Sequence, residues 1–224
     1  MDRVSHALFG WIAVLGAAIS VVAILTLDAI LGGESHRPGR TLRMATISEY
    51  VYTAGGWAFL TGVLALAVGS ILLLAGLIRA GAVAPISWGS ILMSLWVVGL
   101  IGVAAFPKHN WEIGPSASGS IHRVATLLAF VSLPAAVLAI ARRHRQARPA
   151  VWLAYGSIAW LAVLFGAIAI SMVTDLRWYR IIPLGIVERG IVAFEVGAVI
   201  ALGVWLIRGT FTTEKQLESA RTRR

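Results

Sequence analysis

Hydrophobic and polar positions alternate along this chain on a long wavelength. Six strongly apolar runs are separated by short segments that hold most of the charge. A helix that crosses the hydrocarbon core of a bilayer needs about 20 predominantly apolar residues. Runs of that length lie at residues 7–27, 54–78, 86–106, 121–141, 150–174 and 186–207. They predict an all-α fold: a polytopic membrane protein built as a six-transmembrane-helix bundle. The first run follows Arg3 and His6 as a signal peptide would. It is longer than a typical signal core and lacks a persuasive cleavage site, so an uncleaved first helix is expected.

The segments between the runs carry their own signals. Residues 32–50 hold Glu34, His36, Arg37, Arg40, Arg43 and Glu49 among the breakers Gly32, Gly33 and Pro38, which reads as a loop. Its last part, 42–52, is expected to form a short helix lying at the membrane interface. Arg79, Gly81 and Pro85 predict a tight turn that makes the second and third spans an antiparallel hairpin. A polar stretch at 106–126 separates the third span from the body of the fourth and contains two of the five histidines. The polar tail, 208–224, follows the sixth span.

Composition narrows the class. Hydrophobic residues make up 58% of the 224, charged residues only 13%, and the mean hydropathy is +0.84, well outside the soluble globular range. The polar intervals are too short for a second core, so a single membrane domain is expected over residues 1–224. No cysteine is present, which removes disulfides, thiolate metal sites and cysteine nucleophiles. The net charge of +9 is scattered between spans. That pattern suits membrane lipids with anionic head groups as partners and does not suggest nucleic acid.

Six spans place both termini on one side, and the Lys and Arg distribution predicts which. With the termini cytoplasmic, the inner side collects eleven basic residues, dominated by the 142–148 loop and the tail, against eight outside. A multi-pass cell-membrane protein with both termini inside is therefore expected. Acidic residues then concentrate outside, where every helix end carries an ionisable group. The candidates there are Asp28, Glu49, His109, His122 with Arg123, Asp175, and Glu188 with Arg189.

Glu195 is the single charge deep in a span. It follows Glu188 by seven residues, hence on the same helix face and roughly 10 Å deeper at about 1.5 Å per residue. It reads either as a protonated group bonded to a neighbouring helix or as part of a working site. Ala193, Gly197 and Ala201 form a small-residue stripe on the opposite face, which is expected to pack against another helix. The tentative catalytic set is His122 as base or ligand with Glu188 and Glu195. The ligand-binding set is Arg123, Arg189, Glu49, His109, Asp175 and Asp28, with the arginines suited to an anionic group such as phosphate. Arg123 reads equally as an interfacial residue bonded to lipid phosphates. No zinc motif, P-loop, nucleophile elbow or dinucleotide fingerprint occurs, so no metal and no cofactor is expected.

The segments S-E-Y at Ser48 to Tyr50, G-W at Gly56 and Trp57, F-P at Phe106 and Pro107, G-S-I-H at Gly119 to His122, and G-I-V-E-R at Gly185 to Arg189 together carry a resemblance. The chain resembles the bacterial six-span membrane proteins of domain-of-unknown-function family 998, over about residues 7–207. The resemblance implies a six-helix membrane protein of the bacterial inner membrane with no assigned activity. Family members often carry an acidic residue soon after F-P, where this chain has Lys108 and His109, which weakens a shared acid or metal role there. More remotely, the chain is similar to eukaryotic multi-span proteins that remodel glycolipid anchors, which implies lipid as the substrate class.

Three readings follow. The first is a protein that binds, or helps to move, a lipid or small amphiphile through an outward-facing polar pocket. The second is a lipid-modifying enzyme, hydrolase or transferase, using His122 with Glu188 and Glu195. The third is a structural partner within a membrane complex. Spacing names no nucleophile with an adjacent base, which favours the first.

Overall fold

A computed structural model of the chain describes residues 3–33, 39, 41–110 and 112–209; the side chains of residues 3–5 and 180 are outside the description. The tail at 210–224 and most of the 34–40 loop, both discussed above, lie outside the described residues. The described chain is all helix and turn: α1 (Arg3–Leu31), a buried 3-10 helix (Ile47–Tyr52), α2 (Gly56–Arg79), α3 (Trp88–Ala105), α4 (Ala117–Ala141), a 3-10 turn (Arg145–Ala147), α5 (Arg148–Val173), the short α6 (Trp178–Ile181) and α7 (Leu184–Arg208). Six of these helices are long and apolar enough to cross a membrane. The expected spans match them to within a few residues at each end.

Local chemistry sets the ends. Ser87 and Ser116 cap α3 and α4 by accepting the amide N–H groups of Ser90 and Gly119 at 3.2 and 3.0 Å. Pro149 occupies the first turn of α5, where its missing N–H costs nothing. Gly209 ends α7 in the left-handed conformation, φ 62°.

The six long helices close into a ring in chain order. α1 packs on α2, α2 on α3, α3 on α4, α4 on α5, α5 on α7, and α7 returns to α1. Lipid offers no hydrophobic drive for helix association, so close backbone approach and dispersion must supply it. Gly16 shows how close: a Cβ there would meet the Ala65 carbonyl oxygen of α2 at 2.4 Å. Polar glue supplements the small residues, as where Trp96 Nε1 of α3 donates to Ser70 Oγ of α2 at 3.0 Å. The outward faces remain apolar, with Leu15, Val22, Leu64, Val98, Val124 and Val163 exposed. On a soluble protein such a belt would be an anomaly; on this one it is the lipid-facing surface.

The ring has two unlike ends. One, the polar face, carries residues 41–55, 106–116 and 174–183. The opposite face carries the turn between α2 and α3 and the basic turn after α4. The segment at 42–52 differs from the expected interfacial helix. It turns inward over the ring axis, and Ala45 through Tyr50 are all buried. Burial is possible because its backbone groups find partners on α7.

Candidate functional site

Beneath the inward-turned segment lies a cavity of about 70 Å³ enclosed by α1, α2, α3, α4 and α7. Ile47 and Ser48 roof it. Its polar groups are Ser20 of α1, Ser48, His122 and Thr126 of α4, and Glu188 of α7, while Leu66, Trp96, Phe130 and Val196 contribute to apolar walls that run toward the bilayer centre. Polar atoms thus gather at the end near the membrane surface.

The roof is held by α7. Glu188 Oε2 accepts the Ile47 amide N–H at 2.8 Å. The next residue, Arg189, makes six side-chain hydrogen bonds to its surroundings among the described residues. Its Nε and Nη2 grip both oxygens of Asp28 at 2.9 and 2.7 Å, and its Nη1 donates to the carbonyls of Ala45, Gly185 and Leu42 at 2.7, 3.1 and 3.3 Å. A forked contact of this kind is available to arginine and not to lysine. Tyr50 completes it by donating its hydroxyl to Asp28 Oδ1 at 2.6 Å. Burial first, and then the hydrogen bond to Asp28, push the Tyr50 phenol up to about 12, so it remains a donor at any physiological pH. Gly185 explains the close docking: a Cβ there would meet the carbonyl oxygens of Leu42 and Ala45 at 2.3 and 2.4 Å.

A second clamp comes from the α3–α4 loop. Lys108 Nζ lies 3.2 Å from Glu49 Oε1, a carboxylate that also receives the Thr46 hydroxyl at 3.2 Å. The Tyr52 hydroxyl donates to the Lys108 carbonyl. His122 Nδ1 is 2.7 Å from the Phe106 carbonyl, which fixes the ring against the end of α3 and requires Nδ1 to be the donor, since a carbonyl oxygen only accepts. His109 is buried in the same loop, where its Nδ1 accepts the Ser116 amide at 3.0 Å. Desolvation, with help from the positive charges of Arg123 and Lys108, pushes the His109 pKa down.

The predicted residues therefore separate into groups. His122 and Glu188 line the cavity. Asp28, Glu49 and Arg189 build and brace its roof, and His109 braces the loop beside it. Arg123 is exposed in the second turn of α4, and Asp175 is exposed in the bend after α5, so neither joins the cavity. Glu195 sits on the α5–α7 seam, 1% exposed, where its Oε1 accepts the Ser157 hydroxyl at 3.2 Å. Its Oε2 has no hydrogen-bond partner among the described residues. Of the small-residue stripe, Gly197 faces Leu153 of α5 while Ala193 is exposed. Sequence reasoning missed Tyr50, Thr46, Ser20 and Ser157 as parts of these networks. The available signal was a hydroxyl inside or next to an otherwise apolar run.

Residues 20–205 match the family model described as "Protein of unknown function (DUF998)". No curated protein and no solved structure matches the chain. The ring of six spanning helices around a small polar-ended cavity defines a multi-pass α-helical membrane protein. The chain belongs to the DUF998 family. Of the short segments that carry its family resemblance, Ser48 to Tyr50, Phe106, Gly119 to His122, and Gly185 to Arg189 lie in or near the cavity and its roof, whereas Trp57 of the G-W pair is 73% exposed and outside it.

Proposed function

We propose that the protein binds, or helps to move, a lipid or small amphiphile whose polar end lies against Glu188 and His122 and whose apolar part follows the ring axis. One observation carries this reading. Four or more distant segments spend buried polar side chains to build a cavity with hydrogen-bonding groups at the membrane-surface end and hydrocarbon walls below. Burying carboxylates and a guanidinium in a membrane protein is costly unless they are paired, and such groups mark functional positions by default.

The size of the cavity adds a step. Volume of about 70 Å³ is room for roughly two waters at about 30 Å³ each, not for a lipid. Entry of an amphiphile requires the 42–52 segment to withdraw, which releases the Ile47 amide from Glu188 and frees that carboxylate for the incoming polar group. The placement of Glu195 on the α5 seam favours binding over a catalytic unit that needs His122, Glu188 and Glu195 together.

Native mass spectrometry of the purified full chain tests the reading. A co-purifying amphiphile is expected on the parent protein and is expected to be lost from Glu188→Gln and from His122→Leu when these are folded. Retention of the same ligand by both folded variants would overturn the assignment of the cavity as its seat.

A further inference from the structure

On the opposite face of the ring a larger hollow, about 330 Å³, opens between the α2–α3 turn and the end of α4. Ala84, Ser87 and Trp88 line one side, and Ile140, Arg142 and Arg143 the other. We propose that this hollow is a binding site for the phosphate-bearing headgroup of an anionic phospholipid, separate from the central cavity and independent of its function.

The chemistry of the two walls supports this ligand. Arg142 and Arg143 are adjacent, exposed in the turn that follows the last residue of α4, and neither has a carboxylate partner among the described residues. Two guanidinium groups offer ten N–H donors in all from the inventory of five per arginine, a set suited to phosphate oxygens. Their position also follows the field of the helix, because cations are favoured where the carbonyl end of α4 leaves unpaired oxygens. The other wall is mostly apolar, with Ser87 as its one side-chain hydroxyl. Trp88, the first residue of α3, is 76% exposed, and Ile86, beside the hollow just ahead of the α3 cap, is 91% exposed. Tryptophan at a helix end marks the level of the headgroups, so the mouth of the hollow lies where a lipid presents phosphate and acyl chain together.

A free phosphate would use the arginines alone, whereas a lipid would also cover Trp88 and Ile86. The volume agrees with the larger occupant. At 330 Å³ the hollow holds the equivalent of roughly eleven waters at about 30 Å³ each, room for a phosphoglycerol group and more than a bare phosphate fills.

The experiment titrates the purified full chain in nanodiscs of phosphatidylcholine with increasing phosphatidylglycerol, reading Trp fluorescence and bound lipid by native mass spectrometry. Basic residues near a membrane surface contribute about 1 kcal/mol each toward anionic lipid, so the double variant Arg142→Gln, Arg143→Gln should bind phosphatidylglycerol about thirtyfold more weakly. Ala84→Phe fills the hollow from an exposed position while leaving both charges in place, and it should lose the tightly bound lipid as well. The charge-matched control, Arg145→Gln with Arg208→Gln, should retain it. Binding to Ala84→Phe equal to the parent, or equal weakening in the control, would show general surface attraction and overturn the site. Displacement of the lipid by millimolar inorganic phosphate would show a free-anion site and overturn the lipid assignment.

Discussion

Replacing Arg189 by alanine should unfasten the roof of the cavity, and the structure fixes how much this should cost. The guanidinium makes two bonds to Asp28, three to the carbonyls of Leu42, Ala45 and Gly185, and one to the Tyr50 hydroxyl at 3.3 Å. Removal leaves the Asp28 side chain with Tyr50 as its one hydrogen-bond partner among the described residues and strips three carbonyls of a donor. Breaking a buried ion pair by deleting one partner costs about 3–5 kcal/mol. The Arg189 and Asp28 side chains are 18% and 15% exposed, so water can reach part of the break and the lower end, about 3 kcal/mol, is expected. The assay is unfolding of the purified protein in mixed detergent, run as a double-mutant cycle with Asp28→Asn. Because Asp28→Asn removes the charge that Arg189 answers, the two losses should be strongly non-additive, with coupling above about 1 kcal/mol. Hydrogen exchange at 42–52 should rise in parallel. A loss below about 1 kcal/mol for Arg189→Ala, or additive effects in the cycle, would refute the view that this pair holds the roof.

Three further outcomes are expected. Glu195→Gln preserves an acceptor for Ser157 and should leave both stability and amphiphile retention near parental, whereas Glu195→Leu strands the buried Ser157 hydroxyl and should cost about 1–3 kcal/mol; loss of ligand from the Gln variant would place Glu195 in the binding site instead. The His109 pKa is lowered in the fold, so the unfolded loop binds the proton more tightly. Its contribution is present above the ordinary value of 6.5 and is lost as pH falls below it toward the depressed folded value. Proteolytic protection of 106–116 should therefore fall between about pH 7 and 5, and protection that does not change over that range counts against the Ser116 bond as its anchor. Reporter fusions after Arg224 should be active only in the cytoplasm and fusions within 114–119 only outside, and the reverse pattern would invert the proposed orientation.

Sequence by itself determined the number of spans, their approximate limits and the gathering of ionisable groups at one set of helix ends. The reason is local. A backbone crossing lipid must satisfy its own hydrogen bonds within each helix, so length and hydropathy suffice to find it. Which helix faces meet was not encoded in that signal, because lipid-facing and partner-facing positions are both apolar. Val124 of α4 faces outward, whereas Leu133 of the same helix is fully buried. Glu195 and Glu188 were expected on one face of one helix, yet one meets Ser157 on α5 and the other the Ile47 amide. The 42–52 segment carries the same lesson: its mixed polarity suits an interface, and Arg189, Glu188 and the Gly185 amide, more than a hundred positions later in the chain, supply bonds that let its backbone be buried. Asp28 and Arg189 are likewise 161 residues apart in sequence. Their pairing, the cavity roof it secures and the hollow on the far side exist only once the ring closes, because each depends on close approach between helices that hydropathy does not orient.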